Sequence, residues 1–241
     1  MKQPGIWSER LPPLLLEIAI NHRKLATAAI ILLLAGLSLV AFRWGIADVY
    51  GFLARSELES WHQPASEQQW QDALGNGLKA LEFEPGNPEH LDTVGRIYLY
   101  RAQNRAIDEM RRDAAKANAV VYIHRAFKQR PSWPYTWAYL VLAKLQLKQI
   151  DAEFSHAIER AVTLGPWEPW VQLVVVEAGL SSWKQLDTHT RTLIVEAIDR
   201  TLKTQMPAMI SKAKRYGILD FVCARIPNSE SRKPQFCPVE Q

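Results

Sequence analysis

The chain has 241 residues, 48% hydrophobic and 22% charged, which excludes a disordered polymer and suits a folded protein with a sizeable core. Glycine is scarce (11) and tryptophan plentiful (9), which favours packed helices over turn-rich sheets. The net charge of +4 is no polyanion-binding footprint: half of it lies in residues 1–24, where Lys2, Arg10, Arg23 and Lys24 outnumber Glu9 and Glu17, and the rest is spread thinly. No nucleic-acid partner is expected.

Leu25–Phe42 reads LATAAIILLLAGLSLVAF, eighteen residues without a charge. As a helix rising about 1.5 Å per residue it covers about 27 Å, close to the hydrocarbon thickness of a bilayer. The absence of a polar face argues against a buried core helix. The 24-residue leader and the ending Val40-Ala41-Phe42-Arg43 argue against a cleaved signal peptide. A single membrane span over 25–42 is therefore expected, with Trp44 as an interfacial anchor. His22, Arg23 and Lys24 precede it, whereas Arg43 and Arg55 beyond it are opposed by Asp48, Glu57 and Glu59. The positive-inside bias predicts a cytoplasmic stub over 1–24 and export of the remainder. No N-x-Ser/Thr acceptor occurs, which suits a bacterial inner-membrane protein with a periplasmic domain.

Next, residues 43–65 are expected to hold a membrane-proximal amphipathic helix, Ile46–Trp61, broken at Gln63-Pro64-Ala65. Ser66-Glu67-Gln68-Gln69 reads as a capping box. From here to about residue 220 one spacing recurs: an alanine, a proline five residues on and a second proline three further. The copies are Ala80-Pro85-Pro88, Ala126-Pro131-Pro134 and Ala161-Pro166-Pro169, and each second proline is followed six residues later by Val94, Leu140 or Val175. Seven and three residues before each alanine stand Ala73 and Gly77, Ala119 and Ile123, Phe154 and Ile158. A weaker fourth copy runs Val195, Leu202, Pro207. This spacing predicts a helix ending before the first proline, a tight turn, and a new helix beginning at the second, where proline's missing N–H costs nothing.

With its small-residue stripe and its Leu91, Val94, Gly95 and Tyr98, the exported part resembles the tetratricopeptide family. Trp137 and Leu140 match the first-helix pattern in part. The resemblance covers about residues 66–220 and implies an all-α fold, an antiparallel helix-pair solenoid behind one transmembrane helix. The first prolines are spaced 46, 35 and 41 apart, Gln103–Lys116 lengthens one hairpin by about three turns, and Lys144 or Gly179 stands where the pattern has tyrosine. The repeats are degenerate. The run LVVV within Val171–Gly179, which alone could be a strand, reads as the first helix of a pair.

The tail 221–241 carries both cysteines, Cys223 and Cys237. They are either two thiols or a disulfide; the predicted export favours the bond, which closes a loop of about 15 residues and contributes about 3 kcal/mol in the chain-entropy model.

Catalytic signatures are missing from the sequence. The six histidines never pair at three- or four-residue spacing, so no helical metal site and no cofactor is expected, nor is there a glycine-rich phosphate loop or nucleophile elbow. The expectation is a protein that is not an enzyme. In tetratricopeptide-like folds the first helices line a concave groove, and the resemblance projects Glu89, Asp92, Arg96, Tyr100, Tyr135, Trp170 and Glu177 onto it. Tyr135 and Trp170 follow equivalent prolines and should stand on one wall, either as ligand contacts for a peptide or sugar or as wedges between helix pairs. The run Arg96, Arg101, Arg105, Arg111, Arg112 lies beside Asp108, Glu109 and Asp113 and reads as a solvated, ion-paired helix; contact with an anionic polysaccharide is the alternative.

The layout, with Ala47-Asp48-Val49-Tyr50 following the span and degenerate repeats beyond, looks like the VpsP family of exopolysaccharide biosynthesis proteins. That resemblance implies a non-enzymatic scaffold recruiting protein partners of an envelope polysaccharide assembly or export system. The alternatives are a glycan-binding module and an adaptor of cell-division or pilus machinery.

Overall fold

Paired prolines set three of the helix boundaries, whereas the uncharged run lies inside one long helix. The structure is a computed structural model that describes residues 13–61, 65–227, 230, 235 and 237, with side chains from His22 onward. Its α-helices are α1 (Pro13–Ser60), α2 (Glu67–Phe83), α3 (Pro88–Gln103), α4 (Glu109–Gln129), α5 (Pro134–Gln146), α6 (Ala152–Leu164), α7 (Pro169–Ser181), α8 (Thr188–Arg215) and α9 (Leu219–Cys223). Among the described residues there is no strand, and the protein is all-helical. It divides into two units, residues 1–46 and 47–241, with α1 running through the division.

In the first unit the uncharged run is helical throughout, and Ile31, Leu32, Leu33, Leu37 and Phe42 are each more than half exposed. Thr27 and Ser38 turn their hydroxyls back to donate to the carbonyls of Arg23 (2.9 Å) and Leu34 (2.8 Å). That leaves no bare polar group for hydrocarbon to solvate. Among the described residues this is the one helix long and apolar enough to cross a membrane. The leader residues 1–12 lie outside the described residues, as do His62 and most of the expected break at 63–65.

In the second unit, the expected membrane-proximal helix is the last part of α1 rather than a new element. Ala47, Gly51, Ala54 and Leu58 are buried at three- and four-residue spacing, while Val49, Phe52 and Leu53 on the opposite face are exposed. The Ser66 hydroxyl accepts from Gln69 N (3.2 Å) and Gln69 Oε1 from Ser66 N (3.0 Å), so the capping box is formed.

The three proline turns share one geometry. Glu84 (φ −136, ψ 78), Arg130 (φ −139, ψ 72) and Gly165 (φ −123, ψ 54) each precede the first proline, whose ring disfavours the α conformation there. Their backbone N–H groups return to Ala80, Ala126 and Ala161 at 2.9, 3.0 and 3.0 Å. A second bond then closes each turn, from Asn87 to Glu84, Trp133 to Arg130 and Glu168 to Gly165. Pro88, Pro134 and Pro169 open the following helices.

Helix α3 packs on α4, α5 on α6 and α7 on α8; α5 also touches α3 and α7, and α6 touches α8. Ala73, Gly77, Ala80, Ala119, Ile123, Ala126, Phe154, Ile158 and Ala161 are all buried, as are Val94, Leu140 and Val175. The stripe is small because the helices meet closely: a Cβ on Gly95 would sit 2.8 Å from Ile123 Cγ1. Ile194 occupies the space against Gly179, and Lys144 ion-pairs with Asp151 and Glu153.

The weaker fourth copy departs from the expected helix end. Helix α8 passes through Pro207 with one non-helical residue, Gln205 (φ −143, ψ 51), whose dihedrals resemble those of the three turn residues. Helix resumes at once because Pro207 falls in the first turn of the second segment, where it removes no needed donor. Of the lengthened hairpin, residues 104–108 form a turn capped by Asp108, and the rest begins α4. Cys223 and Cys237 are bonded, with Cα atoms 5.7 Å apart, and Cys237 is buried against the core.

Candidate functional site

The starts of α5 and α7 follow equivalent proline turns, so their first residues come side by side. The Tyr135 and Trp170 rings stack 5.7 Å apart and 8° from parallel. Trp133, the residue before Pro134, extends the row by stacking on Tyr135 at 5.5 Å. Tyr139, one turn along α5 from Tyr135, tilts against Trp170 at 4.9 Å. Trp133 and Trp170 are 41% and 36% exposed, so both ends of the row are open to solvent while Tyr135 between them packs against the core.

Arginines brace it. Arg130 lies 4.4 Å over Trp133 and Arg96, from α3, lies 5.4 Å over Tyr139. Beneath them Asp92 is nearly buried, accepting from Thr136 Oγ1 at 2.6 Å and facing Arg130 Nη2 at 3.5 Å; its Oδ1 has no hydrogen-bond partner. Burial pushes the Asp92 carboxyl up to about 6, against the opposing pull of Thr136 and Arg130. Tyr135 donates to Glu168 Oε2 at 2.6 Å, a bond to a carboxylate that raises its phenol. Burial pushes Tyr139 to about 12, so all these phenols are neutral donors at physiological pH.

Of the projected groove residues, Asp92, Arg96, Tyr135 and Trp170 come together. The other three do not join them. Glu89 ion-pairs with Arg55 of α1, and Tyr100, 44% exposed, sets its ring edge-on to Trp61. Glu177 is held by Lys212 and Arg215 and accepts from the Tyr216 hydroxyl at 3.2 Å. Trp133, Tyr139, Arg130 and Glu168 complete the surface without having been singled out. The i, i+4 spacing of Tyr135 and Tyr139 was a readable signal, and so was Trp133 beside the proline.

The arginine-rich run is largely spoken for. Arg111 pairs with Asp108 (3.2 Å), Arg112 donates to the Ile107 carbonyl (2.7 Å), and Arg101 makes two hydrogen bonds to Glu67 (2.7 and 2.9 Å) while lying 3.6 Å over Trp70. The Arg101 bond holds the Glu67 carboxyl below its ordinary value.

Chemically, the surface offers stacking faces, guanidinium edges and a partly satisfied carboxyl. Those are the means of binding a peptide aromatic or a sugar ring. No protein-family model matches the chain, and no curated protein matches it.

Proposed function

We propose that this protein is a single-pass membrane scaffold whose exported helical unit recruits partners of a bacterial envelope polysaccharide assembly through the aromatic row Trp133–Tyr135–Trp170. The exposed, near-parallel rings braced by Arg130 and Arg96 carry this reading, because such a surface is suited to desolvating a partner. The basic flank before the span and the bonded cysteines favour a cytoplasmic N-terminus and an oxidising, periplasmic location for the second unit. The shared turn geometry and the buried small stripe favour a tetratricopeptide-like stack of helix pairs. The likeness in layout to VpsP-type proteins favours a role in exopolysaccharide biosynthesis or export without catalysis.

The test is site-specific photo-crosslinking in native membranes from position 170, with Met110, 78% exposed on α4, as control. A discrete protein adduct from 170, absent from 110 and lost with Tyr135→Ala, is the expected result. Equal labelling from both positions refutes the surface. A second reading, direct glycan binding, is favoured by the same ring row, since flat stacked aromatics match sugar faces. Retention on immobilised envelope polysaccharide that disappears with Tyr135→Ala plus Trp170→Ala would select it.

A further inference from the structure

His90 lies in the first turn of α3, 1% exposed, and neither of its ring nitrogens has a hydrogen-bond partner. Burying an unbonded polar group is unfavourable, so what the ring faces is informative. Its Nε2 points at two carboxylates, 3.7 Å from Glu84 Oε2 and 3.8 Å from Asp48 Oδ1. These distances are too long for hydrogen bonds. The three residues come from three places: Asp48 from α1, Glu84 from the cap of α2, and His90 from α3.

The surroundings hold this arrangement. A Cβ on Gly51 would sit 2.4 Å from His90 Cε1 and 2.5 Å from Nδ1, so the ring rests directly on the α1 backbone. That contact leaves Nε2 as the nitrogen turned to the carboxylates. Asn87 donates to Glu84 Oε2 at 2.8 Å and accepts at Oδ1 from the backbone N–H groups of Glu89 (2.9 Å) and His90 (3.4 Å). One side chain thus orients one carboxylate and fixes the start of the helix that carries the imidazole, as outer-shell residues do around metals.

We propose that Asp48, Glu84 and His90 form a binding site for a divalent transition-metal cation, zinc being the best match, which ties α1 to the turn between α2 and α3. One imidazole nitrogen with two carboxylate oxygens is a zinc donor set, and all three donor atoms lie within 4.8 Å of one another. A tetrahedral ion with bonds of about 2.0–2.1 Å separates its ligands by about 3.4 Å, so the side chains close by an ångström or so. The nitrogen donor disfavours magnesium and calcium, which take oxygen shells. Asp48, with a side chain 73% exposed, provides both the entry path and a movable arm. The fourth position is left to water.

The experiment is a calorimetric titration of zinc chloride into full-length protein in detergent, chelator-stripped and free of any affinity tag, with parallel thermal melts. One ion per chain is expected, with a melting temperature that rises with zinc. Asp48→Ala should weaken binding by roughly tenfold or more while leaving the metal-free melt unchanged, and Glu84→Gln should weaken it likewise. Magnesium should produce no comparable heat. The proposal is overturned if the wild-type protein binds no zinc, or if zinc affinity is the same in both carboxylate variants as in the wild type. These two variants decide the matter even if a His90 substitution fails to fold.

Discussion

Lys144→Met probes how the unit tolerates a charge in its interior. The Lys144 side chain is 4% exposed, and Nζ donates to Asp151 Oδ2 at 2.9 Å and Glu153 Oε2 at 2.6 Å. Methionine keeps most of the hydrocarbon and deletes both bonds. Each such bond is worth about 1.5–3 kcal/mol when fully buried. The two carboxylates are 52% and 39% exposed, so water resolvates them and screens the loss. We expect a net destabilisation of about 1–2 kcal/mol, or about 3–6 °C in melting temperature for a unit of this size.

The pH dependence gives the signature. Burial pushes Asp151 up, but the bonds from Lys144 and from Phe154 N outweigh it and hold the carboxyl below its ordinary value. That contribution is present above the unfolded pKa of about 3.9 and is lost as pH falls through the folded one. Burial pulls Lys144 down, but its bonds to Glu153 and Asp151 outweigh this and hold it above its ordinary value. That contribution is complete below about 10.4 and is lost as pH rises beyond it. Melts of full-length protein in detergent, followed by circular dichroism, should therefore show a constant gap between variant and wild type from about pH 5 to 10, narrowing below about pH 4. A variant as stable as wild type at pH 7, or a gap undiminished at pH 3, refutes the reasoning.

Two glycines of similar helical setting should respond oppositely to alanine. Gly95→Ala drives its Cβ against buried Ile123 and should cost about 1–3 kcal/mol, whereas Gly75→Ala meets nothing within 4 Å and should stabilise by about 0.5–1 kcal/mol; thermal melts compare them directly. Thr136→Val keeps the shape but removes the 2.6 Å bond to Asp92, and should cost about 1–3 kcal/mol in denaturant titrations. Cys223→Ser plus Cys237→Ser should cost about 3 kcal/mol and expose the tail to protease; an unchanged digestion pattern would count against the bond's role.

What could be read from sequence is what depends on short-range spacing. The Ser66–Gln69 box, the three proline turns and each segment of the stripe from Ala73 to Ala161 rest on residues within about two turns of each other, and the uncharged run is contiguous. Continuation of α1 through Ser60 was hidden because a change of composition at residue 42 marks an environment, not a helix end. The weaker fourth copy shows as a kink at Gln205 rather than a full turn, because Pro207 both breaks and begins a helix. For the aromatic row, equivalent prolines were enough to place Tyr135 beside Trp170. They say nothing of Glu89, whose partner Arg55 lies 34 residues away, or of Glu177, tied to Lys212 35 residues on. The Asp48–Glu84–His90 cluster was invisible for the same reason, since a search along one helix face cannot find ligands drawn from three.

The shared geometry of the proline turns has a consequence for how this chain can change length. Residues 84–87, 130–133 and 165–168 are four-residue joints of one shape, while the opposite connections, 104–108, 147–151 and 182–187, differ in conformation, with Lys148 at φ 57 in the second and a 3₁₀ turn in the third. One edge behaves as a hinge line of fixed pitch and the other as a free margin. An extra residue in a proline joint has to be absorbed by turning the next helix about 100° on its axis, carrying His90, Tyr135 or Trp170 away from its neighbours. An extra residue at the margin only lengthens a loop. The intervals of 46 and 35 residues between the first prolines differ because α3 and α4 are longer than α5 and α6, not because their connections differ, and epitopes or labels belong on the free margin, at Asn104–Ile107, rather than between Glu84 and Pro88.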